Sequence, residues 1–164
     1  FMELLKRIEV LREKALSPII SFDDVYLDFL LRYEKNQDLG GMEERYADAF
    51  SYALSNLTPS IDEYELIVGK PCHPVLRERE EEWYRLQPLR EFFAFAGQNA
   101  HMSIDYELIL QKGTQGVANM IDEYISHTQD ESKLRFYQTA KSCLQAVEIC
   151  AENYAREAEK QACF

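Results

Sequence analysis

Basic residues are scarce: the 164-residue chain has 18 Lys+Arg against 29 Asp+Glu, a formal net charge of -11 and a pI near 4.8. Nucleic-acid affinity is carried by clustered Lys and Arg that release counterions, so a phosphate-backbone binder is excluded. Long apolar runs are missing as well. The longest, Leu89 to Gly97, is interrupted by Arg90 and Glu91, well short of the roughly 18 to 20 residues that cross a bilayer. The start, FMELLKRIEVLREK, is amphipathic and carries Glu3, Glu9 and Glu13, which fits neither a signal peptide nor an acid-poor transit peptide. A cytoplasmic location is the expectation, with no membrane and no nucleic acid as partner.

Glycine is sparse, and its six positions, 40, 41, 69, 97, 113 and 116, make neither a phosphate-cradling loop nor a dinucleotide fingerprint. H-E-x-x-H, EF-hand and G-x-S-x-G patterns are absent too. The cysteines, Cys72, Cys143, Cys150 and Cys163, include no C-x-x-C. On one helix, Cys143 and Cys150 would stand roughly 10 Å apart, beyond the ~7 Å Cα limit of a disulfide. They read as buried thiols of a reducing compartment. Cys72-His73 with His101 and His127 offers four soft ligands, but adjacent Cys-His lacks zinc-finger spacing, so no metal is assigned. The carboxylate pairs Asp23-Asp24, Asp62-Glu63 and Asp122-Glu123 read as solvent-facing caps, because neighbours on a helix point in different directions.

What is present is apolar periodicity on a globular composition, 46% apolar with 19 Phe and Tyr and one Trp. Leu4, Ile8, Leu11 and Ala15 mark a first helix ending near Ser17-Pro18. Phe22, Tyr26, Phe29 and Tyr33 mark a second behind a Ser21/Asp24 cap. Met42, Tyr46, Ala49, Ala53 and Leu57 mark a third, stopped by Thr58-Pro59. Leu66 to Val68 is too short for a helix and reads as an extended segment. Val75 to Leu86 reads as a charged helix held by Arg77/Glu81 and Glu81/Arg85 pairs, its acidic run a solvated face. Gln87-Pro88 starts the next helix, through Phe95. Ser103 caps a helix from Ile104 to Lys112, Gly113 stops it, and another follows through Tyr124. Finally Tyr137, Ala140, Leu144, Val147, Ala151, Tyr154 and Ala158 predict one long helix from Asp130 to Ala162 with a partner along its whole seam. The expected fold is all-α: a single helical domain over 1–164 with one short extended segment near 66–68 and a core fed by the long C-terminal helix.

Glu44-Arg45-Tyr46-Ala47 leading into Ile61-Asp62-Glu63-Tyr64-Glu65-Leu66-Ile67-Val68-Gly69 begins a recognisable order of segments. His101-Met102-Ser103-Ile104-Asp105-Tyr106 with Leu110 and Gly113 follows, then Phe136-Tyr137 through Asn153-Tyr154-Ala155 and Ala158. This order resembles the N-terminal region of glycyl radical enzymes, and is similar to the pyruvate formate-lyase-like and diol-dehydratase-like branch. Ala100 stands where the family has glycine before the histidine, Asn153 where it has arginine before Tyr-Ala, and Lys70 to Gly97 departs most from the pattern.

The resemblance implies a parent several times longer, a ten-stranded barrel wrapped by helices, with radical lyase, dehydratase or C-acyltransferase chemistry in anaerobic metabolism. It implies a glycyl radical installed by a separate iron-sulfur SAM activating enzyme, so no cofactor is expected in this chain. None of the six glycines lies in an R-V-x-G-[FWY]-like context, and the cysteines match the helical lead-in, so no catalytic residue is expected either. His101 is the one candidate substrate-binding residue, since the family's G-H loop approaches the substrate cavity; its structural alternative is a cap on the helix from Ile104. Two readings stay open: the N-terminal helical portion of such an enzyme, favoured by the non-methionine Phe1 and the unstopped last helix, or a free-standing helical binding or assembly module. The expected partners are the remainder of the parent or a second copy, with a homo-oligomer anticipated.

Overall fold

The computed structural model describes residues 2–16, 24–61, 64, 68, 79–98 and 104–162. Seven helices occupy most of them: α1 Met2–Leu16, α2 Asp24–Lys35, α3 Met42–Ser55, α4 Glu80–Arg85, α5 Gln87–Gln98, α6 Tyr106–His127 and α7 Glu131–Ala162. No strand occurs among the described residues. The all-α expectation holds, long C-terminal helix included. Of the extended segment at 66–68 only Val68 is described, and it belongs to no regular element. Arg77 and the stretch 75–78 also lie outside the described residues.

The hydrophobic cluster is built from α2, α3 and the α4–α5 corner: Leu27, Phe29, Leu30 and Tyr33 meet Ala49, Ala53, Leu86 and Phe93. Phe93 anchors it, edge-to-face on Phe29 at 5.1 Å and on Tyr33 at 4.8 Å between centroids, the arrangement that aromatic quadrupoles prefer. Two of the three fully buried large side chains, Leu27 and Leu30, fall outside the expected Phe22/Tyr26/Phe29/Tyr33 stripe. The physical reason is that α2 is covered on two sides, by α3 and by α4–α5, so its apolar surface is wider than one stripe.

Pairing directions follow from the connecting contacts. Tyr33 and Arg32 reach Arg45 and Tyr52 respectively, so α2 and α3 run antiparallel across a short loop. Glu44–Arg135 at 3.6 Å, Ser51–Ser142 at 3.1 Å and Asn153 to the Ser55 carbonyl ascend together, so α3 and α7 run parallel. Tyr124 stacks on Tyr137 at 5.5 Å and Asp122 accepts from Lys141 at 2.7 Å, making α6 and α7 an antiparallel hairpin. Its turn is closed by Asp130, whose carboxylate accepts from the Ser132 and Lys133 amides as an N-cap should.

Five expectations are corrected. α7 adds only Ala146 and Tyr154 to the buried apolar residues and none to the central cluster, which α2, α3 and the α4–α5 corner fill. Nor is its seam covered throughout, since Val147 is 42% exposed. No helix begins at Ile104: α6 starts at Tyr106, where the Asp105 carboxylate accepts from the Leu108 amide at 3.0 Å and complements the helix N-terminus, while Ser103 lies outside the described residues. Gly113 does leave the helix, with φ 64° and ψ -179°, but as a kink inside α6 rather than an end. Finally, Arg85 pairs not with Glu81 but with Glu34 of α2 at 2.6 Å, and Arg79 reaches Asp28. The basic residues beside the acidic run hold α4 on α2, because a partner on a packed neighbour is nearer than one along a six-residue helix.

Candidate functional site

Two clefts flank the α3–α7 contact. The apolar one, about 590 Å³, lies among α3, α5 and α7, with Tyr46, Phe92, Phe93, Phe136 and Cys143 in its walls. Its position follows from the sequence. The stripe that buries Ala49 and Ala53 begins two turns earlier with Met42 and Tyr46, where Tyr46 meets Phe29 of α2 at 5.0 Å and Phe93 of α5 at 6.1 Å between centroids. Phe93 forms the floor because it is packed on Phe29 and Tyr33, whereas Phe92 and Phe136 stand at the rim, each 58% exposed.

The one chemically distinctive group in this cleft is the Cys143 thiol. Burial pushes its pKa up, and a hydrogen bond involving Ser51 only partly opposes that. Burial likewise raises the Tyr46 hydroxyl, with the neighbouring Cys143 adding to the shift. Both groups are therefore neutral near pH 7, and a protonated thiol is a poor nucleophile. Cys150, further along α7, is raised by burial too. Both cysteines are free, in keeping with their separation along one helix. The cleft is mainly apolar and suits an apolar group, with Glu43 the one carboxylate in its wall.

On the opposite side, a polar cleft of about 540 Å³ contains Arg32, Asp48, Ser51, Arg135 and Ser142. Arg32 donates to both Asp48 oxygens, at 2.7 and 2.9 Å, and Asn36 donates to the same carboxylate at 2.6 Å. The Arg32 hydrogen bond chiefly lowers the Asp48 pKa, against the opposing effect of burial, with Asn36 contributing. Such a satisfied fork is a structural clamp between α2 and α3 rather than a vacant anion site. Sequence reading missed it, although Arg32 and Asn36, one helical turn apart, present adjacent donors.

His101, Asn99, Ser103, Cys72, His73 and Cys163 lie outside the described residues. Of the four soft ligands considered, only His127 is described: its Nδ1 sits 2.7 Å from the Glu123 carbonyl at the exposed end of α6. Among the described residues no group of three His, Cys, Asp or Glu is placed to hold a metal ion. Of the carboxylate pairs, Asp122 bridges to Lys141 rather than standing free. No described helix is long and apolar enough to cross a membrane.

Comparison with known proteins gives one match. The sequence profile of the family described as "Pyruvate formate lyase-like" matches residues 74–163. That span contains α4 to α7 and takes in residues 74–97, where the motif pattern was weakest. No curated protein and no solved structure matches.

Proposed function

The chain belongs to the pyruvate formate lyase-like family, and from that membership we propose that it is the N-terminal helical portion of a glycyl radical enzyme, not catalytic by itself. The supporting observation is the match over α4 to α7 in a chain whose six glycines include none in an R-V-x-G-[FWY]-like context. Radical chemistry in this family needs that glycine and a cysteine on a mid-chain loop. Cys143 and Cys150 sit instead on the long helix α7 as protonated, half-buried thiols, so no step of the reaction is routed through this chain's own residues. Its contribution is architectural: a helical layer whose open apolar surfaces, such as the rim of Phe92 and Phe136, are faces for the remainder of a cytoplasmic radical lyase or transferase.

Within that enzyme His101 is the residue we assign to orienting substrate, on the strength of the His101-to-Tyr106 motif. His101→Ala should leave the unfolding midpoint of this chain nearly unchanged, while turnover of the parent falls tenfold or more. A lowered midpoint with parent activity intact would remove His101 from the site. The portion reading itself is tested by sequencing the gene across the codon for Phe164. An open frame leading to a cysteine loop and a glycyl-radical motif is expected; a native stop codon there would refute it.

A further inference from the structure

Among the described residues, three arginines lie over aromatic rings: Arg32 over Tyr52 at 5.0 Å, Arg45 over Tyr33 at 3.8 Å and Arg90 over Trp83 at 4.4 Å from the ring centroid. The cleft among α3, α5 and α7 has the same ingredients without the cation. Tyr46, Phe92, Phe93 and Phe136 line it beside the Glu43 carboxylate, and no basic residue enters its walls. Glu43 stands in the first turn of α3 and has no ion-pair partner among the described residues. The arginines that flank it in sequence and across the α3–α7 contact are engaged elsewhere. Arg45 donates to the Tyr33 carbonyl and lies on its ring, while Arg135 pairs with Glu44 at 3.6 Å.

Four rings and one carboxylate select by charge. The negative face of a ring attracts a cation within about 6 Å of its centroid, and a carboxylate beside the rings adds a direct partner. Burial raises the pKa of both Cys143 and Tyr46, so these stay neutral near pH 7 and Glu43 alone gives the cleft its charge. A guanidinium fits this arrangement better than an ammonium: it is planar, stacks on a ring while forking onto a carboxylate, and is more weakly hydrated. A space of about 590 Å³ also admits the methylene stem, which Met42 and Ala140 in the walls would cover.

We propose that this cleft receives an arginine side chain from the remainder of the parent enzyme, its guanidinium among the rim rings and paired with Glu43. The inference rests on the reading of this chain as a portion of a longer enzyme, and adds to it the chemistry by which this surface recognises its neighbour. A wholly apolar side chain is disfavoured because it would cover Glu43 and leave that carboxylate desolvated without a partner. Complementary charge fixes which segment docks more than it adds affinity.

Titration of the 164-residue chain with benzylguanidinium and with its neutral counterpart benzylurea, followed by the NMR shifts of the Met42 methyl and the Phe136 ring, tests the assignment. The cation should bind about tenfold more tightly than the urea. Glu43→Gln should bring the two within about threefold. Phe136→Leu, which keeps the apolar wall but removes the ring, should narrow the gap as well. A retained helical circular dichroism spectrum checks that each variant still folds. Equal affinity for both probes, no binding of either, or a preference that survives Glu43→Gln would each overturn the proposal. The source is read on the full-length enzyme, where the remainder's own arginine should exclude benzylguanidinium from the cleft. Full-length enzyme that still binds the probe there overturns the inference and leaves the portion reading intact. A stop codon after Phe164 would instead refute that reading, and the arginine's source with it, whatever the cleft prefers.

Discussion

Asp48 lies sixteen residues from Arg32 and twelve from Asn36, and the fold brings all three within hydrogen-bond reach. Both partners of the ion pair are about 30% exposed, so solvent screening leaves only part of the gross interaction. Asp48→Ala should cost about 1 to 2 kcal/mol in chemical denaturation at pH 7, the loss of a forked, charge-assisted contact. The folded-state pKa of Asp48 is depressed. Its stabilisation is therefore present above the unfolded value of about 4 and is lost as pH falls through the lower folded value. The wild-type and variant curves should converge below about pH 4. A difference that persisted in acid would mean that packing, not charge, carries the effect.

Phe93 and Cys143 give two further tests at the same scale. Phe93 is buried among Phe29, Tyr33 and Phe92, and Phe93→Ala should destabilise by about 3 to 5 kcal/mol, a truncation that also leaves a void. Alkylation of Cys143 by iodoacetamide should be slow at pH 7 and rise only above the pH at which a free thiol reacts, since burial raises its pKa. In a Cys143→Ala variant the slow labelling attributable to this site should vanish without altering the helical content. Fast labelling at neutral pH would show that the thiol is activated.

Among the elements, α6 departs most from a regular helix. At φ 64° and ψ -179°, Gly113 occupies a region essentially closed to other residues. A Cβ there would meet no atom within 4 Å, so any penalty for Gly113→Ala is backbone strain and not a clash. Thermal unfolding should show a loss of about 1 to 3 kcal/mol. A stability gain would mean that alanine lets the two halves of α6 fuse into one straight helix. The half before the kink carries Leu110, 84% exposed, and has little packing with which to resist such a change. By contrast α7, at 32 residues, is held by α3 and the second half of α6 on adjacent flanks.

For the whole molecule, the distribution of apolar surface matters more than its amount. The buried cluster is confined to α2, α3 and the α4–α5 corner, while Leu4, Ile8, Phe92, Phe136 and Val147 remain in contact with solvent. Under native conditions a hydrophobic dye should bind, and Phe92→Ser with Phe136→Ser should remove a large part of its fluorescence at unchanged helicity. If the dye ignores these two rim residues, the aromatic cleft is not an accessible binding surface.

Helix type and most boundaries were legible in the sequence, because a 3.6-residue apolar period and Pro, Gly and Asp punctuation act locally; eight helices were expected and seven occur among the described residues, since Gly113 kinks α6 instead of ending it. The ends at Leu16 and Ala162 and the start at Gln87 match the signals read there, while α3 ends at Ser55, short of the expected Leu57. Family kinship was legible for the same reason, carried by short ordered segments. What the sequence alone left undetermined was which side of each stripe finds a neighbour. Leu27 and Leu30 became core because α2 is covered twice, and Val147 stayed exposed because α7 lacks a cover there. Arg85 chose Glu34 over Glu81 once α4 lay on α2. The apolar cleft of Tyr46, Phe93 and Cys143 joins three helices and so has no local signature. Periodicity records that a face is apolar, while burial depends on the distances between helices, which are fixed only when all of them pack.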